Sequence, residues 1–209
     1  EQGKPVIGFG AGEPDFPTPE YVVKDVQVAA EDTSNHKYSP VAGLTILKEE
    51  IVRTSQLYSG INVQQENILV SNGGKHAILT TFMSILNPGD EVLIPSPYWT
   101  TYPEAVKISG GNPIIVDTEF DDDFKVNTDQ LDALKTSKTK ILVWVSPSNP
   151  TGVVYTKEEA EKIYNWAFEN NVWILSDELY EHLVYEGMTS PSPAQYDTEL
   201  NNTIIINGV

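Results

Sequence analysis

The sequence predicts an α/β fold with three layers, α/β/α, around a mostly parallel central sheet. Three observations carry this. From residue 67 onward, short apolar runs alternate with amphipathic stretches, the order that lays helices against a sheet. The runs are continuously apolar, which marks strands buried on both faces. Turn formers such as Asn87-Pro88-Gly89-Asp90 and Gly110-Gly111 separate the segments.

The elements follow in order. PVIGFG (5–10) reads as a short strand. Thr18-Pro19-Glu20 opens a helix with proline at its first position, where a missing N–H costs nothing. A second helix over 43–58 carries Leu44, Leu47, Ile51 and Tyr58 and stops at Gly60. NILVS (67–71) reads as a strand and GKHAILTTFMSIL (74–86) as a helix. EVLIPS (91–96) is a strand, YWTTYPEAVKIS (98–109) is helical and PIIVD (113–117) is a strand. TDQLDALKT (128–136) is a short helix capped by Thr128, and KILVWVS (140–146) is a strand. Thr156-Lys157-Glu158-Glu159 has the form of a capping box. The helix after it places Ala160, Ile163, Tyr164, Ala167 and Phe168 on one face. VWILSDE (172–178) and TIIIN (203–207) complete the strands.

Composition narrows the function. The chain has 209 residues, 40% of them apolar, enough for a substantial core. Its net charge of −17 repels phosphate backbones, so no nucleic-acid partner is expected. With no cysteine, thiol catalysis, disulfides and Cys-ligated zinc are excluded. His36, His76 and His182 lack metal-ligand spacing and read as scattered polar residues. The acidic run Glu119–Asp123 reads as a solvated loop, since the calcium-loop spacing and its glycine are missing. No apolar stretch has the length of a membrane span and no signal peptide opens the chain, so the expected location is the cytoplasm. Arg53 is the one arginine and reads as a surface residue in mid-helix.

Ligands of open α/β sheets bind at the carboxyl ends of the strands. Four polar, turn-rich segments fall there: Ser71–Lys75, Pro147–Gly152, Asp177–Tyr180 and Asn207-Gly208. Gly73-Gly74 before a helix is either a tight turn or a cradle of backbone N–H groups for phosphate. It does not satisfy the Walker pattern. Asp177 is either a helix cap or a buried carboxylate awaiting a cation. Asn149-Pro150 is a rigid turn, with or without a use for its amide. Trp99 is a core aromatic or a stacking plate.

Taken together, seven ordered motifs resemble the large domain of a fold type I pyridoxal-phosphate enzyme of the aspartate/aromatic aminotransferase class. They are GAGEPDFPTP (10–19), KYSPVAGLTILKEEI (37–51), SNGGKHAI (71–78), NPGDEVLIPSPYWTTYPE (87–104), SPSNPTG (146–152), SDELYEHLVYEG (176–187) and IINGV (205–209). The resemblance implies transfer of an amino group from an amino acid to a 2-oxo acid, 2-oxoglutarate by family habit. It implies the cofactor pyridoxal 5′-phosphate and a homodimer with shared sites. Gly73, Gly74 and Lys75 would hold the phosphate and Trp99 would stack on the pyridine ring. Asp177 would keep the ring nitrogen protonated, which makes the ring an electron sink. Asn149 and Tyr180 would bond the phenolic oxygen. Asn149, Gly12 and Trp99 would meet the substrate. Tyr38 would reach the neighbouring subunit's phosphate.

The resemblance also implies a division of the chain. Residues 1–20 would belong to the small domain and substrate lid, and 21–209 to the cofactor-binding large domain. The family's Schiff-base lysine follows the pattern NG-x-S/A-K, which places it just after Val209, and the C-terminal small domain with its substrate-carboxylate arginine lies further on. No lysine follows Lys162, and Lys157 and Lys162 sit on a helix facing solvent, so these 209 residues are expected to be inactive alone. Related carbon–sulfur β-lyases share the cradle, the aspartate and Asn-Pro. A non-catalytic effector domain of a transcription regulator is a further alternative, and so is a fragment that binds the cofactor weakly or not at all.

Overall fold

The computed structural model describes Gly12 and residues 16–208. The chain divides into two units, Glu1–Pro40 and Val41–Val209. The expected strand at 5–10 lies outside the described residues.

The first unit contains helix α1, Glu20–Glu31, and a 3₁₀ turn, Thr33–His36. Pro19 stands one position earlier than expected, as the cap residue of α1. Asp32 caps the turn by accepting the N–H of Ser34 at 2.9 Å.

The second unit is built on five parallel strands: β1 Glu91–Pro95, β2 Asn112–Val116, β3 Thr139–Val145, β4 Trp173–Asp177 and β5 Thr203–Ile206. Their spatial order is β2-β1-β3-β4-β5. The helices are α2 Thr45–Thr54, α3 Gly74–Ile85, α4 Thr101–Ile108, α5 Thr128–Leu134 and α6 Lys157–Glu169. A wider turn, Ser55–Ser59, extends α2 to Gly60.

The expected three layers follow from the two-residue period of a strand. Val92, Ile94, Ile141, Val143 and Leu175 pack with Ile78 and Phe82 of α3 and Tyr102 and Val106 of α4. The intervening Leu93, Leu142, Trp144 and Ile174 pack with Leu131 of α5 and Ala160, Ile163 and Ala167 of α6. Both faces of the sheet are therefore covered, which is why the strands read as unbroken apolar runs.

Three local expectations change. Residues 67–71 form no strand: the N–H of Val70 donates to the carbonyl of Ala42 at 3.1 Å, and no ladder partner lies beside them among the described residues. An extended segment is a strand only when a neighbour completes its hydrogen bonds. The cap of α5 is Asn127, not Thr128, because the Asn127 amide oxygen accepts the Gln130 N–H at 3.0 Å. On α6 the Thr156–Glu159 capping box forms. Phe168, however, is exposed and stacks on Tyr164, while Trp166 is buried and donates from Nε1 to Asp132 at 2.8 Å. The acidic run 119–123 is exposed, as expected of a solvated loop, with one 3₁₀ turn at Phe120–Asp122.

One feature positions β5. Asp197 is fully buried and accepts the backbone N–H groups of Asn201, Asn202 and Thr203 at 2.8–3.0 Å. It gathers the donors that would otherwise lie unpaired where the strand begins.

Candidate active site

The sheet changes direction between β1 and β3, since β2 lies on one side of β1 and the later strands on the other. Such a switch point opens a crevice at the carboxyl ends. The register aligns Val145, Asp177 and Ile206, so β3, β4 and β5 end at one level.

Asp177 closes β4 and is 7% exposed. Its Oδ2 accepts the Tyr102 hydroxyl at 2.7 Å and its Oδ1 accepts the Leu179 N–H at 3.3 Å. Burial pushes its carboxyl above the usual range, against the lowering effect of these two bonds. Among the described residues it makes no ion pair. A carboxylate so placed is stabilised by a cation brought to it.

Helix α3 begins at the end of β5. A Cβ on Gly74 would lie 3.9 Å from Cγ2 of Ile206. Gly73 has φ 81° and ψ 170°, outside the ordinary range of other residues, and lets the chain turn into the helix. The N–H of Gly73 donates to the Ser71 carbonyl at 2.9 Å and that of His76 to the Gly73 carbonyl at 3.1 Å, so among the described residues the N–H groups of Gly74 and Lys75 are the ones left without a partner in this turn, with the positive end of the dipole behind them. Lys75 adds a cation, with Nζ 5.4 Å from the ring centroid of Trp99. Trp99 is half-buried and stands edge-to-face with Tyr102, centroids 5.7 Å apart and planes at 87°.

Asn149 is half-buried and lines a cavity of about 20 Å³ with Tyr98, Tyr102, Val145, Ser148 and Tyr155, room for one water. Tyr180 is half-buried in the loop after β4. The Tyr102 hydroxyl is held well above its usual pKa by burial first, then by Asp177, with a smaller contribution from Tyr180. Gly73, Gly74, Lys75, Trp99, Asn149, Asp177 and Tyr180 thus all lie along the carboxyl edge of one sheet. Gly12 and Tyr38 are exposed and belong to the Glu1–Pro40 unit.

Three residues escaped sequence reasoning. Tyr102 was legible only through its spacing, three residues after Trp99 at a helix start. Glu178 is buried and its Oε1 accepts the hydroxyls of Ser176 at 2.6 Å and Ser192 at 2.5 Å. Its carboxyl is pushed up to about 7, chiefly by burial. Glu181 accepts Asn207 Nδ2 at 2.7 Å and the Ser59 hydroxyl at 2.9 Å, tying the end of β5 to the turn after α2.

The family model of class I and II aminotransferases matches residues 4–209. The chain belongs to the class I and II aminotransferase family. This aminotransferase chain is 49% identical over 208 residues to an aspartate aminotransferase of Streptomyces avermitilis, covering 99% of this chain and 51% of that protein. A probable aspartate aminotransferase of Streptomyces griseus is 48% identical over 177 residues, 85% of this chain and 83% of its own. Among solved structures, the aspartate aminotransferase from Rhizobium meliloti superposes with a TM-score of 0.93 at 37% identity, covering 99% of this chain and 52% of that one. The aromatic aminotransferase from Pyrococcus horikoshii OT3 gives 0.90 at 37%, covering 95% and 53%. The chain thus spans about half the length of the S. avermitilis relative and of both structures. The aminotransferase family works with pyridoxal 5′-phosphate. The residues fit that group: among the described residues Asp177 has no cation beside it, and the start of α3 offers N–H groups and a lysine to an anion. No helix among the described residues is long and apolar enough to cross a membrane.

Proposed function

We propose that the protein to which this chain belongs transfers the amino group of an aspartate-type or aromatic amino acid to 2-oxoglutarate by a ping-pong mechanism. The observation that carries the reading is Asp177, a buried carboxylate at the end of β4 with no ion-pair partner among the described residues, in line with the glycine turn at the start of α3. The aspartate aminotransferase names of the relatives support the amino-acid substrate class.

Pyridoxal 5′-phosphate would supply an electron sink. Around it, the Gly73-Gly74 turn would hold the phosphate through backbone N–H groups, Gly73 by exchanging its bond to the Ser71 carbonyl, and Lys75 would add its charge. Trp99 covers one face of the ring. Asp177 holds a proton on the ring nitrogen. Asn149 and Tyr180 would donate toward the phenolic oxygen, Asn149 would also reach the substrate carboxylate, and Gly12 would offer its backbone N–H to the substrate. The lysine that carries the cofactor and moves the substrate proton belongs to the segment after Val209. The same reading includes a cytoplasmic homodimer in which Tyr38 reaches the neighbour's phosphate, and residues 1–20 serving the substrate lid.

The test is product analysis with the full-length protein, L-aspartate and 2-oxoglutarate. Glutamate forming in step with oxaloacetate is expected. Pyruvate and ammonia from a sulfur amino acid, without glutamate, would overturn the reading in favour of elimination.

A further inference from the structure

We infer that Tyr102 is a positioning residue for the cofactor ring, aiming the Asp177 carboxylate with its hydroxyl while its ring buttresses Trp99. The inference rests on the reading proposed above. Tyr102 is fully buried in the first turn of α4. Its ring meets Trp99 edge-to-face and its hydroxyl donates to Asp177 Oδ2 at 2.7 Å. One side chain therefore touches both the plate and the counter-charge.

Packing alone does not account for the hydroxyl. A phenylalanine would fill the same space among Ile78, Val106 and Val143. A buried hydroxyl is retained at a cost unless it finds an acceptor. Among the described residues the second oxygen of Asp177 has only the longer bond from Leu179 at 3.3 Å, so the short Tyr102 bond sets the orientation of the carboxylate. Hydrogen bonds to an ionised group are also the stronger kind. The bond favours the charged form of Asp177 against burial. The titratable groups around Asp177 are Tyr102 on α4 and Glu178 and Tyr180 in the loop after β4. Lys75 on α3 lies across Trp99.

The experiment uses the full-length protein, freed of cofactor and titrated with pyridoxal 5′-phosphate by equilibrium dialysis from pH 5 to 9. Tyr102→Phe keeps the ring and removes the hydroxyl. It is expected to weaken binding about 10-fold, the effect of losing one charge-assisted bond. It also moves the acid limb of the binding profile to higher pH, because Asp177 takes up its proton more readily. A cofactor analogue with carbon in place of the ring nitrogen is expected to bind wild type and Tyr102→Phe alike. Tyr102→Leu, which also removes the ring beside Trp99, weakens both ligands. In an Asp177→Ala background the Tyr102→Phe effect disappears. Unchanged affinity and pH profile in Tyr102→Phe would overturn the inference while leaving the proposed function standing. Equal losses for cofactor and analogue in Tyr102→Phe would overturn it too, by showing packing alone. Wild-type protein that binds no pyridoxal 5′-phosphate overturns both readings.

Discussion

The hydroxyl of Ser192 donates to Oε1 of Glu178 at 2.5 Å, joining a loop beyond β4 to a buried acid beside the active-site crevice. Ser176 donates to the same oxygen at 2.6 Å. Burial pushes the Glu178 carboxyl up to about 7, against the lowering effect of the two hydroxyl bonds.

A pH dependence follows. The folded form holds a proton on Glu178 up to about pH 7, whereas an ordinary glutamate loses it near 4.5. The stability this contributes is complete below pH 4.5 and is lost as pH rises to about 7, on the order of 3 kcal/mol in all. Glu178→Gln imitates the protonated acid. Its thermal midpoint is expected to match wild type near pH 5 and to exceed it at pH 8. Parallel melting curves for the two proteins across this range would contradict the assignment.

Asp197→Ala removes the acceptor shared by Asn201, Asn202 and Thr203. Several backbone donors then lose their partner at the start of β5, a loss of about 3 kcal/mol or more. Urea unfolding of the full-length variant should show the midpoint falling with little change of slope. Asp197→Asn keeps one acceptor oxygen and should fall between the two.

Gly43→Ala meets two obstacles. The residue has φ +104°, and a Cβ there would stand 2.4 Å from Cγ2 of Val70. The expected cost is about 1–3 kcal/mol, read as a lower thermal midpoint. The reciprocal Val70→Ala in the same background should recover part of it.

Borohydride reduction of the full-length protein with pyridoxal 5′-phosphate should fix one pyridoxyl group, mapped by peptide digestion to a lysine just after Val209. Modification of Lys75 in its place would move the cofactor linkage to the glycine turn. The 209-residue piece alone should return at its unmodified mass of 23.1 kDa.

The sheet was legible because its strands are buried on both faces, so composition and position agree at β1 to β5. Residues 67–71 carry the same apolar signal, yet strand formation depends on a neighbour that no local pattern reports. The carboxyl-edge residues were legible too, because a parallel sheet delivers every strand end to one side. Their mutual contacts were not. The Tyr102–Asp177 bond spans 75 positions, and the Glu178–Ser192 bond depends on the path of a loop without periodicity. Thr128 and Asn127 both suit a helix cap, and the choice turned on which side chain reaches the Gln130 N–H.

The glycine turn before α3 rests against Ile206, 132 positions beyond Gly74 by residue number. On a ribosome, the intended anion seat emerges early and waits for its floor until β5 has been made. A phosphate compound meets the finished seat only after residue 206 has been made.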